Sequence, residues 1–296
     1  MSSASALLAP ASGRRRNTDR IMRALLAVAT VIALIPLVLV VFYLLQKGLG
    51  AWSWSFFTTD PTGNFFGDPG GVKSALLGTI EMVALASVVA IPLGLFTAIY
   101  LVEYGRGVFA RLVTFFVDVM TGVPSIVAGL FVYTFLLLGT GLRPFGAAGS
   151  IALGILMLPV VVRSSEEMLR LVPRDLREAS YALGVPRWRT IVKVVLPTAM
   201  SGLITSGLLA IARVTGETAP LILLVGYSDR INRSPFSGDQ ASLPMMVWDQ
   251  LGKRTGAGGV YGDSRAWGAA LVLVLLVLFL NVGARLLARL ARPKAR

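Results

Sequence analysis

The stretch Ala24-Leu-Leu-Ala-Val-Ala-Thr-Val-Ile-Ala-Leu-Ile-Pro-Leu-Val-Leu-Val-Val-Phe-Tyr-Leu-Leu45 runs for 22 residues without a charge. A helix that crosses a bilayer core needs roughly 20 such residues. A secretory signal has an apolar core of only about 7–15 residues, so the segment reads as a retained membrane span, with Pro36 as a point for a kink. Five further runs follow: Ser74 to Val102, broken only by Glu81; Leu112 to Leu138, with Asp118 and the kink-prone Gly122-Val-Pro-Ser125 inside it; Ala147 to Val162; Thr198 to Val225; and Ala266 to Leu287. Only helices and closed barrels satisfy the backbone in lipid, and the period-2 alternation of a barrel is absent. The expectation is an all-α integral membrane protein with six transmembrane helices.

Composition agrees. Of 296 residues, 55% are hydrophobic and 15% charged, with a mean hydropathy of +0.74. Cysteine and histidine are both absent. Disulfides, thiolate nucleophiles, Cys/His metal sites and imidazole acid–base chemistry are therefore excluded. The formal charge of +13 would suggest nucleic acid in a soluble protein. In a membrane protein it is a topology signal. With the N-terminus inside and the spans alternating, 19 of the 28 basic residues fall on cytoplasmic segments and 8 outside, Arg213 lying within a span. That bias supports cytoplasmic N- and C-termini in a multi-pass cell (inner or plasma) membrane protein, and it accounts for the charge with no nucleic acid partner.

The chain divides into a disordered basic tail (1–20), the first span with an external loop (21–72), the main helical domain (73–290) and a basic tail (291–296). In the external loop, Trp52, Trp54, Phe56 and Phe57 suit a membrane interface. A second long loop is expected from Gly226 to Arg265. Glu81 reads as interfacial or water-facing, and Asp118 as a helix-end or loop-bonding residue.

Two places carry chemistry. The polar stretch at about 163–197 predicts two short amphipathic surface helices. Arg163 to Arg177 and Arg187 to Lys193 supply the polar faces, Leu169, Leu171, Leu176, Tyr181, Trp188 and Ile191 the apolar ones, and Gly184-Val185-Pro186 the break. Basic residues alone would also justify an ordinary headgroup-facing loop. The second place is Arg213-Val-Thr-Gly-Glu217-Thr-Ala-Pro220 in the fifth run. A charge at the bilayer centre costs about 2.5–3.5 kcal/mol on insertion scales and marks a candidate site. Spacing of four puts Arg213 and Glu217 on one helical face. They form either a self-neutralising pair or an anion path, in which the Arg fork pairs with oxyanion oxygens. Gly216 and Pro220 permit local unwinding.

Glu178-Ala179-Ser180-x3-Gly184-x9-Val194-x-Leu196-Pro197 resembles the EAA coupling loop of MetI-like ABC importer permeases, whose pattern has Ala and Ile where Ser180 and Val194 stand. The segment from Ala212-Arg213 to Gly216-Glu217-Thr218-Ala219-Pro220-Leu221 is similar to the fifth-span motif of the PstA family of phosphate-importer permeases. Gly122 to Phe131, Ile91-Pro-Leu-Gly94 with Ile99 to Tyr104, Met157 to Glu167 and Ser242-Leu-Pro244 fit the same family, over roughly residues 70–290. The resemblance implies a MetI-like ABC permease fold. Glu178, Ala179, Gly184 and Pro186 would dock on a cytoplasmic ATPase, and Arg213, Glu217 and Thr218 would belong to the substrate pathway. It also implies a PstC-like permease partner in a heterodimer, two PstB-like ATPase subunits and a PstS-like phosphate-binding protein, with membrane lipid as a further partner. No cofactor is expected on the chain itself, with ATP and Mg on the partner ATPase. A P-loop needs Gly-x4-Gly-Lys-Ser/Thr, and the chain's one Gly-Lys, Gly252-Lys253, is followed by Arg254. The alternative cargo is another oxyanion, a phosphonate or an amino acid.

Overall fold

The computed structural model describes residues 13–62, 70–252 and 259–290; the tails expected at 1–12 and 291–296 lie outside them. The described residues are helical almost throughout, with one isolated bridge, Pro61 to Gly70. In order, the helices are α1 (Gly13–Gly48), α2 (Trp54–Thr58), α3 (Lys73–Ile99), α4 (Gly107–Gly122), α5 (Ser125–Val132), α6 (Gly146–Arg170), α7 (Arg174–Ala182), α8 (Arg187–Thr190), α9 (Leu196–Thr215), α10 (Ala219–Leu224), α11 (Leu243–Gly252) and α12 (Gly259–Leu290). π-helical turns extend α3 (Tyr100–Tyr104) and α5 (Tyr133–Leu138), and another (Ile191–Val195) joins α8 to α9.

Five helical segments are long and apolar enough to cross a membrane: Arg16–Ala51, Lys73–Tyr104, Gly146–Arg170, Arg187–Thr215 and Gly262–Gly283. The run expected as a single third span is instead two helices, α4 and α5, bent by 107° at a short break. Together they make the sixth span only if the bent pair counts as one. The cause is local. Pro124 has no N–H to give to Met120 and disfavours helical geometry at the residue before it. Val123 is extended accordingly (φ −71°, ψ 125°) and its own N–H reaches Met120 O at 3.3 Å.

Three other boundaries differ from expectation. Residues 13–20, read as tail, belong to α1, and Pro36 sits inside that helix without ending it. Residues 163–170, read as part of a surface helix, continue α6. The loop expected from Gly226 to Arg265 contains α11, whose Leu243, Met245 and Met246 are buried. Its apolar run is too short to span a bilayer but long enough to pack.

Helix α6 is the centre of the bundle. Leu153, Met157 and Val161 are fully buried, and they pack with Met82, Ala86 and Ala90 of α3 and Ala210 and Val214 of α9. Lipid chains are as apolar as leucine, so helices associate here through close packing, which small residues permit. The alanines at 86, 90, 148 and 152 all lie at this contact. A second cluster, at the end of the bundle away from α7, joins Phe56, Val72, Leu243, Met246, Ala269 and Val272. Phe56, read as interfacial, is thus a core residue, whereas Trp54 is exposed. Helix α1 stands apart: nearly all its large apolar side chains are exposed, and it touches the bundle along α12, where Tyr43 meets Trp267 edge-on at 5.0 Å.

Truncating Met157 to Ala is expected to lower stability by about 2–5 kcal/mol, since the central helix is hemmed in on both sides and collapses little. Thermal unfolding of the detergent-solubilised protein measures this; a midpoint unchanged from wild type would contradict the assigned core.

Candidate functional site

At one end of the bundle, α6 leads through Val172-Pro173 into α7, and the chain then reverses at Gly184 into α8. The reversal is a Schellman turn. Gly184 N–H donates to Tyr181 O at 2.9 Å and Val185 N–H to Ser180 O at 3.2 Å, so two terminal carbonyls of α7 are satisfied. This geometry needs a left-handed residue, and Gly184 has φ +75°. Pro186 then caps α8, its carbonyl accepting from Arg189 N–H at 3.0 Å. The hydroxyls of Ser180 and Thr190, both buried, share a hydrogen bond of 2.8 Å that ties the two arms together. The Ser180 that departs from the Ala of the EAA pattern therefore supplies a lock between the arms.

Glu178, Ala179, Gly184 and Pro186 all lie on this turn and are exposed. With them, Leu183 is 82% and Trp188 57% exposed. Of the apolar residues expected on the surface helices, Leu169 and Ile191 instead face the interior. The tip thus offers both acidic and apolar groups to whatever lies beyond it.

Beneath the tip lies an ion pair that sequence reading missed. Arg177 Nε and Nη2 donate to Glu103 Oε1 at 3.1 and 2.9 Å. The same guanidinium donates to the carbonyls of Val172 (2.6 Å) and Leu169 (2.9 Å). Arg187 donates to the Glu103 carbonyl, and its guanidinium lies 5.0 Å from the Tyr104 ring centre. The available signal was a carboxylate directly after an apolar span in a chain whose only nearby counterions are arginines. A second set ties α4 to α6. Arg163 donates to Asp118, to Thr114 O (3.3 Å) and to Glu166 (2.8 Å), while Arg170 donates to Glu166 (2.6 Å). Asp118, expected at a helix end or loop bond, is a cross-helix partner instead.

In the fifth span, α9 stops at Thr215 and α10 restarts at Ala219. Pro220 cannot donate to the carbonyl of Gly216, and its ring would clash there in a continuous helix. Glu217 N–H turns back to Val214 O at 3.1 Å. Arg213 and Glu217 therefore do not share one helical face, and no ion pair joins them: Arg213 is exposed on the last turn of α9, and Glu217 is half-buried in the break beside Thr218. The expectation of unwinding at Gly216 and Pro220 is met; the expectation of a helical pair is not. Helix α10 packs on α5, close enough that a Cβ on Gly129 would lie 2.8 Å from Pro220 Cα. The two broken spans thus touch through α5 and α10, while Gly122, Pro124 and Gly216 at the breaks themselves are exposed on this chain. Such breaks are tolerated at membrane depth where protein or a cavity covers them.

The opposite end is sewn shut by the segment after α10. Gln240, itself buried, donates to Glu81 Oε2 at 2.8 Å, so Glu81 is a half-buried acceptor and not simply water-facing. Ala147 N–H donates to Pro235 O at 2.6 Å and Leu243 N–H to Thr79 Oγ1 at 2.8 Å. Burial, with the carboxylates of Asp229 and Asp249 nearby, pushes the Tyr227 hydroxyl above its ordinary range.

A bundle of apolar spans, two of them broken and packed on each other, with an exposed helical hairpin at one end, is the arrangement of a membrane permease. The family described as "Binding-protein-dependent transport system inner membrane component" matches residues 90–296, and the chain belongs to that family. It is 46% identical to "Phosphate transport system permease protein PstA 1" of Mycobacterium tuberculosis, covering 97% of this chain and 92% of that one. It is 39% identical to "Phosphate transport system permease protein PstA" of Yersinia pestis, over 92% and 90% of the two chains. Among solved structures, a chain of a bacterial alginate ABC transporter aligns with TM-score 0.60 at 16% identity, covering 93% of this chain and 97% of that chain. A chain of the inward-facing MetNI methionine ABC transporter aligns at 0.56 and 21%, covering 75% and 95%. These two share the fold.

Replacing Gly184 with Ala places a Cβ at φ +75° and is expected to loosen the hairpin by about 1 kcal/mol. Hydrogen exchange at the Gly184 and Val185 amides should then quicken roughly fivefold. Unchanged protection would mean that the turn is not limited by the left-handed residue.

Proposed function

We propose that this chain is the PstA-type permease of an ATP-driven inorganic phosphate importer. One observation carries the reading: near-full-length similarity to phosphate transport permeases, with Arg213, Gly216, Glu217, Thr218 and Pro220 standing at the helix break. Phosphate is a multivalent oxyanion, and an arginine that is charged at any pH suits it. Arg213, exposed on this subunit, faces a second permease across the pathway in the assembled transporter. Glu217, displaced from Arg213 by the break, leaves that cation free for the anion and limits how tightly it is held. Thr218 offers a hydroxyl in the same unwound segment.

The exposed hairpin 174–190 docks on a cytoplasmic ATPase, which puts both termini of the chain in the cytoplasm. Glu178, Ala179, Gly184 and Pro186 are its contact residues. The chain carries no P-loop, so ATP and Mg bind the partner. The assembly comprises a PstC-like permease, two PstB-like ATPases and a PstS-like phosphate-binding protein, and this chain needs no cofactor of its own. ATP-driven closure of the ATPases tips the spans between inward and outward access.

The test is uptake of radiolabelled phosphate into vesicles holding the whole complex, with ATP hydrolysis counted alongside. Arg213→Gln removes charge-assisted bonds worth about 1.5–3 kcal/mol and is expected to cut uptake roughly tenfold or more while hydrolysis continues. Unchanged uptake would remove Arg213 from the anion path. Wild-type vesicles that take up a different oxyanion, phosphonate or amino acid but no phosphate would overturn the cargo.

A further inference from the structure

We infer that Glu103 and Arg177 form the mechanical joint of this transporter, fastening the ATPase-facing hairpin to α3 so that hairpin and span move as one body. This rests on the reading of the hairpin as the ATPase contact.

Both arms of the hairpin land on the same turn of α3. From the first arm, the Arg177 fork grips Glu103 Oε1 through two nitrogens at 2.9 and 3.1 Å and spends its remaining donors on the carbonyls of Leu169 and Val172. From the second arm, Arg187 donates to the Glu103 carbonyl and covers Tyr104. The Ser180–Thr190 bond closes the figure between the arms. Three links in different directions leave the hairpin little freedom to slide or rotate on α3.

Burial makes the central link stiff. Glu103 is 4% exposed and the Arg177 side chain 14%. In such a setting, separating the charges without a replacement partner leaves each stranded, so the pair holds while surface pairs exchange with water. The turn that receives the arginines, Tyr100–Tyr104, is π-helical. Such bulges recur at functional positions, and this one ends a helix with the carboxylate turned inward. Among the described residues, Arg177–Glu103 is the ion pair that links α7 to a membrane span; the others join α4 to α6 or lie within α6. Force applied at Glu178–Pro186 therefore enters α3 directly. Helix α3 lies along α6 for most of its length, and α6 packs on α9, which carries Arg213.

The experiment uses the full reconstituted complex and two perturbations. Glu103→Gln keeps the size and removes the charge. The expected result is phosphate carried per ATP hydrolysed lower by about tenfold, with hydrolysis within about twofold of wild type and recovery in Glu103→Asp. A role confined to folding would lower both activities together and leave their ratio unchanged, which would overturn the joint. The second perturbation does not depend on Glu103→Gln assembling. Val102→Cys and Tyr181→Cys are combined in this cysteine-free chain, with partner cysteines removed, and joined by a short bismaleimide. Both residues line the cleft over the ion pair. If hairpin and α3 move together, the tether leaves uptake at the level of the singly modified controls. Uptake abolished by the tether alone would show that the hairpin must move on α3, and the joint would be wrong. Wild-type vesicles without ATP-driven uptake of any solute would instead overturn the transporter reading, and the joint with it.

Discussion

Lipid offers the backbone no hydrogen bonds, and this one constraint organises the molecule. It forces helices wherever the chain is surrounded by hydrocarbon, as in α1 and most of α3 and α12. It also decides where helices are allowed to stop. The helices that follow the breaks at 122–125 and 216–218 are packed on each other, with Gly129 close against Pro220, while Gly122, Pro124 and Gly216 at the breaks are exposed on this chain.

The same constraint sorts the arginines. At the hairpin end, Arg163, Arg177 and Arg187 each find a carboxylate or carbonyl on a neighbouring element, and Arg170 pairs with Glu166 in its own helix. Arg213 lies inside a span-forming segment and is exposed. The first group holds helices in place and is satisfied within the chain. Arg213 makes no ion pair within the described residues. That division separates structural cations from the one assigned to the pathway.

Much of this was legible in the sequence. Apolar runs located the spans because lipid demands length and little else. The spacing from Glu178 to Pro197 located the hairpin because its turn needs glycine at one position. What was not legible depended on contacts between distant residues. Glu103 and Arg177 are 74 positions apart, and nothing local to either announces the other. Asp118 and Arg163, 45 apart, were unreadable for the same reason. Two local misreadings have a common origin. The breaks at Pro124 and Pro220 were both foreseen, the first as a kink and the second as local unwinding, but the 107° bend at the first, and the loss of the shared face of Arg213 and Glu217 at the second, were not. Pro124 and Pro220 each deny a hydrogen bond to the carbonyl four residues earlier. Helix α11 was hidden by the opposite error, since a search for spans passes over an apolar segment too short to be one.

Helix α1 has a consequence of another kind. Its apolar side chains are uncovered on nearly every side of this chain, and its attachment to the bundle is a narrow seam at Tyr43, Leu44 and Gly48. Hydrocarbon does not discriminate one aliphatic side chain from another. Where lipid covers it, exchanging one aliphatic side chain for another changes little, whereas at the seam a Cβ on Gly48 would lie 2.8 Å from Leu271 Cβ: the helix is held to the bundle by a few positions and tolerant at the rest.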